Sequence, residues 1–505
     1  MSNTKRIAKN TIVLYVRMVI VLFITLYTSR IVLQALGVDD FGLYGVIGGV
    51  VGLFAFLQTS MGKATQRFLN VEMVAKEGDL KAVFQTCWTI HVVVAVVILI
   101  LAETIGLWFL NAKVNIPEGR EFAANILYQT TIVSLCISML VIPFSAEIIA
   151  HEKMGFFAVI SIIDAVLKLG IAFIILAEKG DRLIIYGALI MCISIINILL
   201  YYIYCKKKFK ETSVKIRLDK QRFKDIFGFV GWTLLGQAAI VGCNQGNAVL
   251  VNIFHSVAAN AAMTIGGQVS STINNLAGNF QTAFNPQITK SYAEGDYSYL
   301  KFLVFTTSKI SYCLLFVAAL PVAINIDWVL ELWLGIVPEM TNVFCILCIA
   351  NGIINALSAP LNFSVLATGR IKWFQIVTAA VYLSDIVILY VLFRVGMPPT
   401  TAMWVKVSIM VVILFVRLYY AHKEIPCIGL RTFTLQVILP LLLMSVGSVT
   451  IALVLMQHFD NLALRISLTA TTIIVNIILI WFAALSRKEK DAVLGIINKK
   501  RNKNA

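Results

Sequence analysis

Charged residues are scarce in this chain: 13% of 505, against 59% hydrophobic residues and a mean hydropathy of +0.87. A soluble fold of this length needs far more charge on its surface, so that class is excluded. Histidine is rare too. The five histidines do not cluster, and no metal site is visible. The nine cysteines are scattered along apolar runs, and the one CxxC, Cys345 with Cys348, has no partner pair, so packing is their expected role. No Walker loop and no nucleophile–base pair is present, and Gly48-Gly49 and Gly266-Gly267 sit in apolar runs that suit close helix packing rather than phosphate binding. The chain is therefore not expected to be an enzyme or to hold a cofactor. A Na⁺ or H⁺ gradient, the membrane potential or consumption of product is left to drive it. The first apolar run is too long for a cleavable signal and lacks a small-residue cleavage site, so it should remain in place.

What the chain has is apolar runs of about 20 residues, each able to span ~30 Å of hydrocarbon. They predict an all-α polytopic membrane protein with about 14 transmembrane helices, near residues 11–36, 41–61, 84–110, 123–149, 156–177, 183–205, 226–254, 258–284, 302–326, 343–367, 371–393, 400–420, 433–456 and 462–485. A basic loop is expected from Lys63 to Lys81. The formal charge of +16 sits in every second connection, from Lys63, Arg67, Lys76 and Lys81 through Lys153 and residues 206–224 to Lys290, Arg370 and Lys423. The other connections hold Asp39, Asp40, Glu118, Asp181, Asp327, Glu331 and Asp460. That alternation marks the basic side as cytoplasmic and places both termini there. It also removes nucleic acid as a partner, because no binding motif accompanies the charge.

The chain contains itself twice. Ile47-Gly48-Gly49 returns as Ile265-Gly266-Gly267, the AKEGD ending at Asp79 returns as AEGD ending at Asp296, and Pro143 returns as Pro360, about 217 positions on (360 − 143). The repeat divides the chain into an N-terminal six-helix lobe (1–205), a basic connector (206–225), a C-terminal six-helix lobe (226–425), two additional transmembrane helices (426–486) and a basic cytoplasmic tail (487–505). Two six-helix repeats enter the membrane in the same direction, so an axis along the membrane normal should relate them, with a transport path at their interface.

Ionisable residues inside spans are costly, which makes each a functional candidate. Arg17, Lys309 and Arg417 lie one to two turns from a span end and either snorkel or line a cavity. Arg30 could pair with Asp39 or Asp40. Asp164 and Lys168 have i,i+4 spacing and could pair with each other. Asp385 either faces Lys406 as a structural pair or exchanges a coupling ion. Lys168 and Asp385 are equivalent in the repeat (385 − 168 = 217) but opposite in charge, which suits an anionic substrate in one lobe and a cation in the other. The seventh and eighth spans are rich in amides and hydroxyls, including Gln237, Asn244, Gln245, Asn274 and Asn275, which are too costly to face lipid. Such groups suit sugar hydroxyls, while Arg and Lys suit a pyrophosphate.

The segments LQALGVDDFGLYG, TQRFLNVEMVAKEGD, NPQITKSYAEGD and LSAPLNFSVLATGR resemble those of bacterial polysaccharide exporters and O-antigen (Wzx-type) flippases. These share the multidrug/oligosaccharidyl-lipid/polysaccharide superfamily with drug extruders and the lipid II flippase. The resemblance implies two bundles around a central cavity gated by the first and seventh helices. It also implies flipping of an undecaprenyl-pyrophosphate-linked oligosaccharide across the bacterial inner membrane by alternating access, with membrane lipids and polysaccharide polymerase machinery as partners. Arg17 and Arg30 resemble that group's basic cavity residues, Arg67 the basic position of its second loop, and Pro286 the proline of its NPQI segment. A proton- or Na⁺-coupled multidrug antiporter is the alternative, although it favours deep acids over the deep cations and amides found here. A membrane polymerase or glycosyltransferase would need large external loops, and these are short.

Overall fold

A computed structural model describes residues 3–484, apart from 53, 114, 115, 117, 118, 218, 256, 335, 336 and 457–461, together with residue 490. The expected basic tail, 487–505, lies outside the described residues except for Lys490.

The described residues form helices and no strands. Eleven of the helices are long and apolar enough to cross a membrane, and they fall on the expected spans one, three to seven and nine to thirteen. The chain is a multi-pass membrane protein. The other three expected spans are present as helix with a different character. The second is divided between residues 38–52 of α1 (Asn3–Gly52) and α2 (Ala55–Val74). The eighth is α9 (Val257–Glu294), at 38 residues longer than a span requires but rich in polar side chains. The fourteenth is α17 (Leu462–Leu479) continued by a π turn, Ile480–Ala484, with its apolar stretch at Thr469–Phe482.

Glycine and aspartate punctuate the chain. Gly37 breaks α1 at φ 78°, ψ 174°, a region essentially closed to residues with a Cβ. The expected loop from Lys63 to Lys81 is mostly helix. Helix α2 continues to Val74, and only residues 75–79 turn. Its basic residues lie along the helix surface, and charge does not end a helix. The Gly-Asp pair does: Asp79 accepts from the Ala82 N–H at 2.9 Å and caps α3 (Leu80–Leu101). In the second repeat, α9 likewise runs to Glu294, Gly295 turns at φ 76°, and Asp296 accepts from the Tyr299 N–H at 3.0 Å to cap α10 (Tyr297–Ile324). A π turn, Ala102–Gly106, joins α3 to α4 (Leu107–Lys113), and Tyr128 donates from its hydroxyl to the Ala102 carbonyl at 2.8 Å.

The chain divides into two compact units, Lys9–Leu234 and Leu235–Ala505, the latter with Met1–Ala8. In the first unit α5 (Glu121–Ala150), which contains Pro143, is central. It packs against α2, α3 and α7 (Arg182–Lys208), and α6 (Met154–Ala177) lies on α7. In the second unit α12 (Thr341–Thr368), which contains Pro360, has the same place. It packs against α9, α10 and α14 (Thr401–Glu424), and α13 (Lys372–Arg394) lies on α14. The two bundles therefore repeat one packing scheme. Between lipid-facing helices the drive is close contact rather than water release. Gly266 meets that expectation: a Cβ there would lie 3.2–3.3 Å from Cys348 and Phe344, so α9 presses on α12. Gly48 and Gly267 have open space and do not serve close packing.

Two further segments complete the frame. Residues 209–219 connect α7 to α8 (Lys220–Phe254), and a short helix, α11 (Ile326–Leu334), precedes α12. After α14, α15 (Leu430–Phe433) runs through a π turn into α16 (Leu439–Met456).

Candidate functional site

Three charged candidates of the first unit, Arg17, Asp164 and Lys168, meet at α6. Asp164 accepts from Lys168 Nζ at 2.8 Å and from Asn197 of α7 at 2.6 Å, so the i,i+4 pair forms and a second helix holds it. Lys168 remains half-exposed. Arg17 of α1 donates to Ser161 Oγ at 3.1 Å and lies over the Phe157 ring, 5.0 Å from its centroid. Arg30 is exposed. It does not take Asp40, which is bound instead by Arg120, 80 residues away in sequence. Arg120 contacts Asp40 at 2.6 Å and Asp181 at 2.7 Å. The Asp181 and Asp40 carboxylates hold the Arg120 guanidinium above its ordinary value. Burial works against the charge of Asp181, but hydrogen bonds from Arg120 and from the start of α7 keep its carboxyl below the usual range.

A second polar group, missed by the sequence reading, closes the other end of α5. His151 Nε2 lies 3.1 Å from Glu147 Oε1 and 2.7 Å from Glu211 Oε1. Burial disfavours the imidazolium, yet the two carboxylates push His151 up to about 9, and the bond to His151 draws Glu211 down to about 2. The signal was half-legible as the i,i+4 pair in SAEIIAH. Glu211, 60 residues on, comes only with the fold.

In the second unit Asp385 of α13 is fully buried. The expected partner does not reach it. Lys406 of α14 donates to Asn244 at 2.7 Å, whereas Asp385 Oδ2 accepts from Asn247 at 2.5 Å and from the Cys243 thiol at 2.9 Å. Asn244 and Asn247 stand one turn apart on α8, so Lys406 and Asp385 are held at neighbouring levels rather than as a pair. No cation pairs with Asp385 among the described residues, and its Oδ1 has no hydrogen-bond partner. The repeat-equivalent Lys168 is half-exposed while Asp385 is sealed, so the opposite charges also differ in solvation.

A further network, also missed, runs through α12. Buried Arg417 donates to Asn355 Oδ1 at 3.0 Å and to Ser358 Oγ at 2.6 Å, and Asn355 donates to Asn274 of α9 at 3.2 Å. In the first unit, Gln58 to Ser138 at 2.7 Å links α2 to α5 at the equivalent place. Lys309 is buried within α10, and Gln237 is half-buried. Asn244, Gln245 and Asn275 are exposed. Along α9, Thr264, Gln268, Ser271 and Asn275 are all exposed at helical spacing, with Thr272 beside them. They form one polar stripe on a helix of a membrane protein.

No family model matches the chain. It is 18% identical over 275 residues to the uncharacterized membrane protein EpsK of Bacillus subtilis (strain 168), spanning about half of that protein's length, 54% of each chain. Solved structures share the fold. A MATE crystal structure superposes with TM-score 0.75 at 11% identity, covering 85% of this chain and 97% of the other. The outward-facing conformation of a multidrug resistance MATE family transporter of the MOP superfamily gives 0.68 at 13%, covering 85% and 97%. The Vibrio cholerae MATE transporter VcmN in its bent form gives 0.68 at 14%, covering 86% and 99%.

Proposed function

We propose that this protein is an alternating-access transporter that flips an undecaprenyl-pyrophosphate-linked oligosaccharide, an O-antigen or capsule-type repeat unit, across the bacterial inner membrane, with both termini cytoplasmic. The observation that carries the reading is the polar stripe of α9. Gln268, Ser271 and Asn275 are exposed on one helix face, where contact with hydrocarbon would cost several kcal/mol per group, roughly, and contact with water or sugar hydroxyls costs little. Asn244 and Gln245 of α8 extend the same chemistry. Arg17, Arg30 and Lys168 in the first unit, and Lys309 in the second, are the proposed pyrophosphate contacts. They are met in succession rather than together, because Arg17 and Arg30 stand ~20 Å apart along α1. Charged hydrogen bonds are the strongest available to that group. Asp164 and Asp385 are the candidates for ion coupling. Asp164 already balances Lys168, so Asp385 suits that role better.

Expression in strains that each lack a defined flippase tests the proposal. Surface polysaccharide should return in one strain while its accumulated lipid-linked intermediate disappears. Replacing Gln268, Ser271 and Asn275 together by Leu should abolish that rescue at unchanged protein level. The competing reading, an ion-coupled multidrug antiporter, is favoured by the buried acid at Asp385. Raised drug resistance in a pump-deficient strain, without rescue in any flippase mutant, would establish it instead.

A further inference from the structure

We propose that Glu147, His151 and Glu211 form a binding site for one divalent transition-metal ion of the zinc type, which fastens the connector 209–219 to the C-terminal end of α5. The donors are in place. Their ligand atoms all lie within 4.8 Å of one another, with His151 Nε2 3.1 Å from Glu147 Oε1 and 2.7 Å from Glu211 Oε1. Tetrahedral bonds of ~2.0–2.2 Å to zinc place the donors ~3.3–3.6 Å apart, so His151 Nε2 and Glu211 Oε1 must separate by somewhat more than half an ångström, roughly, and His151 Nε2 and Glu147 Oε1 by less. Glu211 lies on the connector, outside the helices.

The second observation is Glu147 itself. Its side chain has no exposure, and Oε2 has no hydrogen-bond partner among the described residues. A buried carboxylate with an open oxygen is expensive unless something meets it. A metal ion bound by both oxygens, or by one with a water on the other, removes that cost. Charge agrees: two carboxylates and a neutral imidazole around a divalent ion sum to zero. The ion takes the place of the Nε2 proton now shared between the carboxylates, and that proton leaves to solvent. The site also lies where the last carbonyls of α5 favour positive charge. Phe209 stacks on the His151 ring at 4.1 Å and fixes its orientation. One imidazole with two carboxylates suits Zn²⁺ or Mn²⁺, and two carboxylates are too few for a Ca²⁺ cage.

Metal would reinforce a connection the protein already makes. Along the connector, Ser213 accepts from Gln85, and Arg217 exchanges both backbone groups with the Thr89 hydroxyl at 3.1 and 3.2 Å.

The test uses tag-free, full-length protein in detergent, stripped with chelator and titrated with Zn²⁺ by calorimetry and thermal melting. One ion per chain should bind and raise Tm. Glu211→Gln and His151→Gln should each weaken binding by more than the ~10–100-fold that loss of an outer-shell partner costs. Zn²⁺ should also slow tryptic cleavage at Lys215 and Arg217 in the wild type but not in the variants. Absence of saturable one-to-one binding by the wild type, or wild-type affinity retained in both variants, overturns the proposal. Should the variants fail to fold, Co²⁺-loaded wild-type protein decides: visible absorption of a four- or five-coordinate nitrogen–oxygen site supports the proposal, and the spectrum of hexaaqua Co²⁺ sinks it.

Discussion

At the scale of residues, solvation separates side chains that look alike in sequence. Asp385 is held by Asn247 and Cys243 and not by Lys406. Breaking a buried ion pair costs ~3–5 kcal/mol, and replacing both partners recovers much of it. No such recovery is expected here. In a double-mutant cycle, Asp385→Asn and Lys406→Met should be nearly additive, with a coupling under ~1 kcal/mol in thermal melts. If Asp385 carries the coupling ion, Asp385→Asn should bind substrate yet ignore an imposed gradient. Unchanged gradient-driven transport by that variant would remove it from coupling. Asp181 provides a pH test. Its carboxyl is held below its unfolded value, so its contribution is present above that value and is lost as pH falls through the folded one. Asp181→Asn should flatten the acid limb of Tm against pH by a small amount, ~1 kcal/mol or less for a partly exposed pair. Asn still caps α7, where Asp181 accepts from Leu183 and Ile184 N–H. Asp181→Ala should lose a further ~1 kcal/mol.

Among the elements, the legible features were the ones governed by local rules. Length and apolarity located the eleven spans, whereas the Gly-Asp pairs at 78–79 and 295–296, read in the sequence only as marks of the repeat, turn out to cap α3 and α10. The loop expected over residues 63–81 is helix as far as Val74, because charge does not break a helix that can keep it on an exposed or partnered face. Gly37 is the counterpart, a break inside an apolar run. Gly37→Ala should cost ~1–3 kcal/mol, seen as a lower Tm, because no L side chain is at ease in that backbone region. A substitution without effect there would mean that α1 straightens at no cost.

For the whole molecule, the loop charges predict a topology that labelling can check. Cysteines placed at the exposed Lys179 and Lys215, in a background without accessible thiols, should react from opposite sides of the membrane, Lys215 from the cytoplasm. Reaction of both from one side would overturn the orientation. The sequence by itself determined the class of the protein, its helices, and the repeat that places α5 and α12 at equivalent positions. Those follow from run length, period and punctuation, all of which act within a few residues. Only the tertiary structure decided which polar groups meet. Asp40 joins Arg120 and Asp181, Asp385 is closed over by α8, and Glu211 reaches His151, across separations of 60 to 142 residues. Such partners are chosen by which helix faces pack together, and a buried polar group takes whichever donor that packing brings within reach.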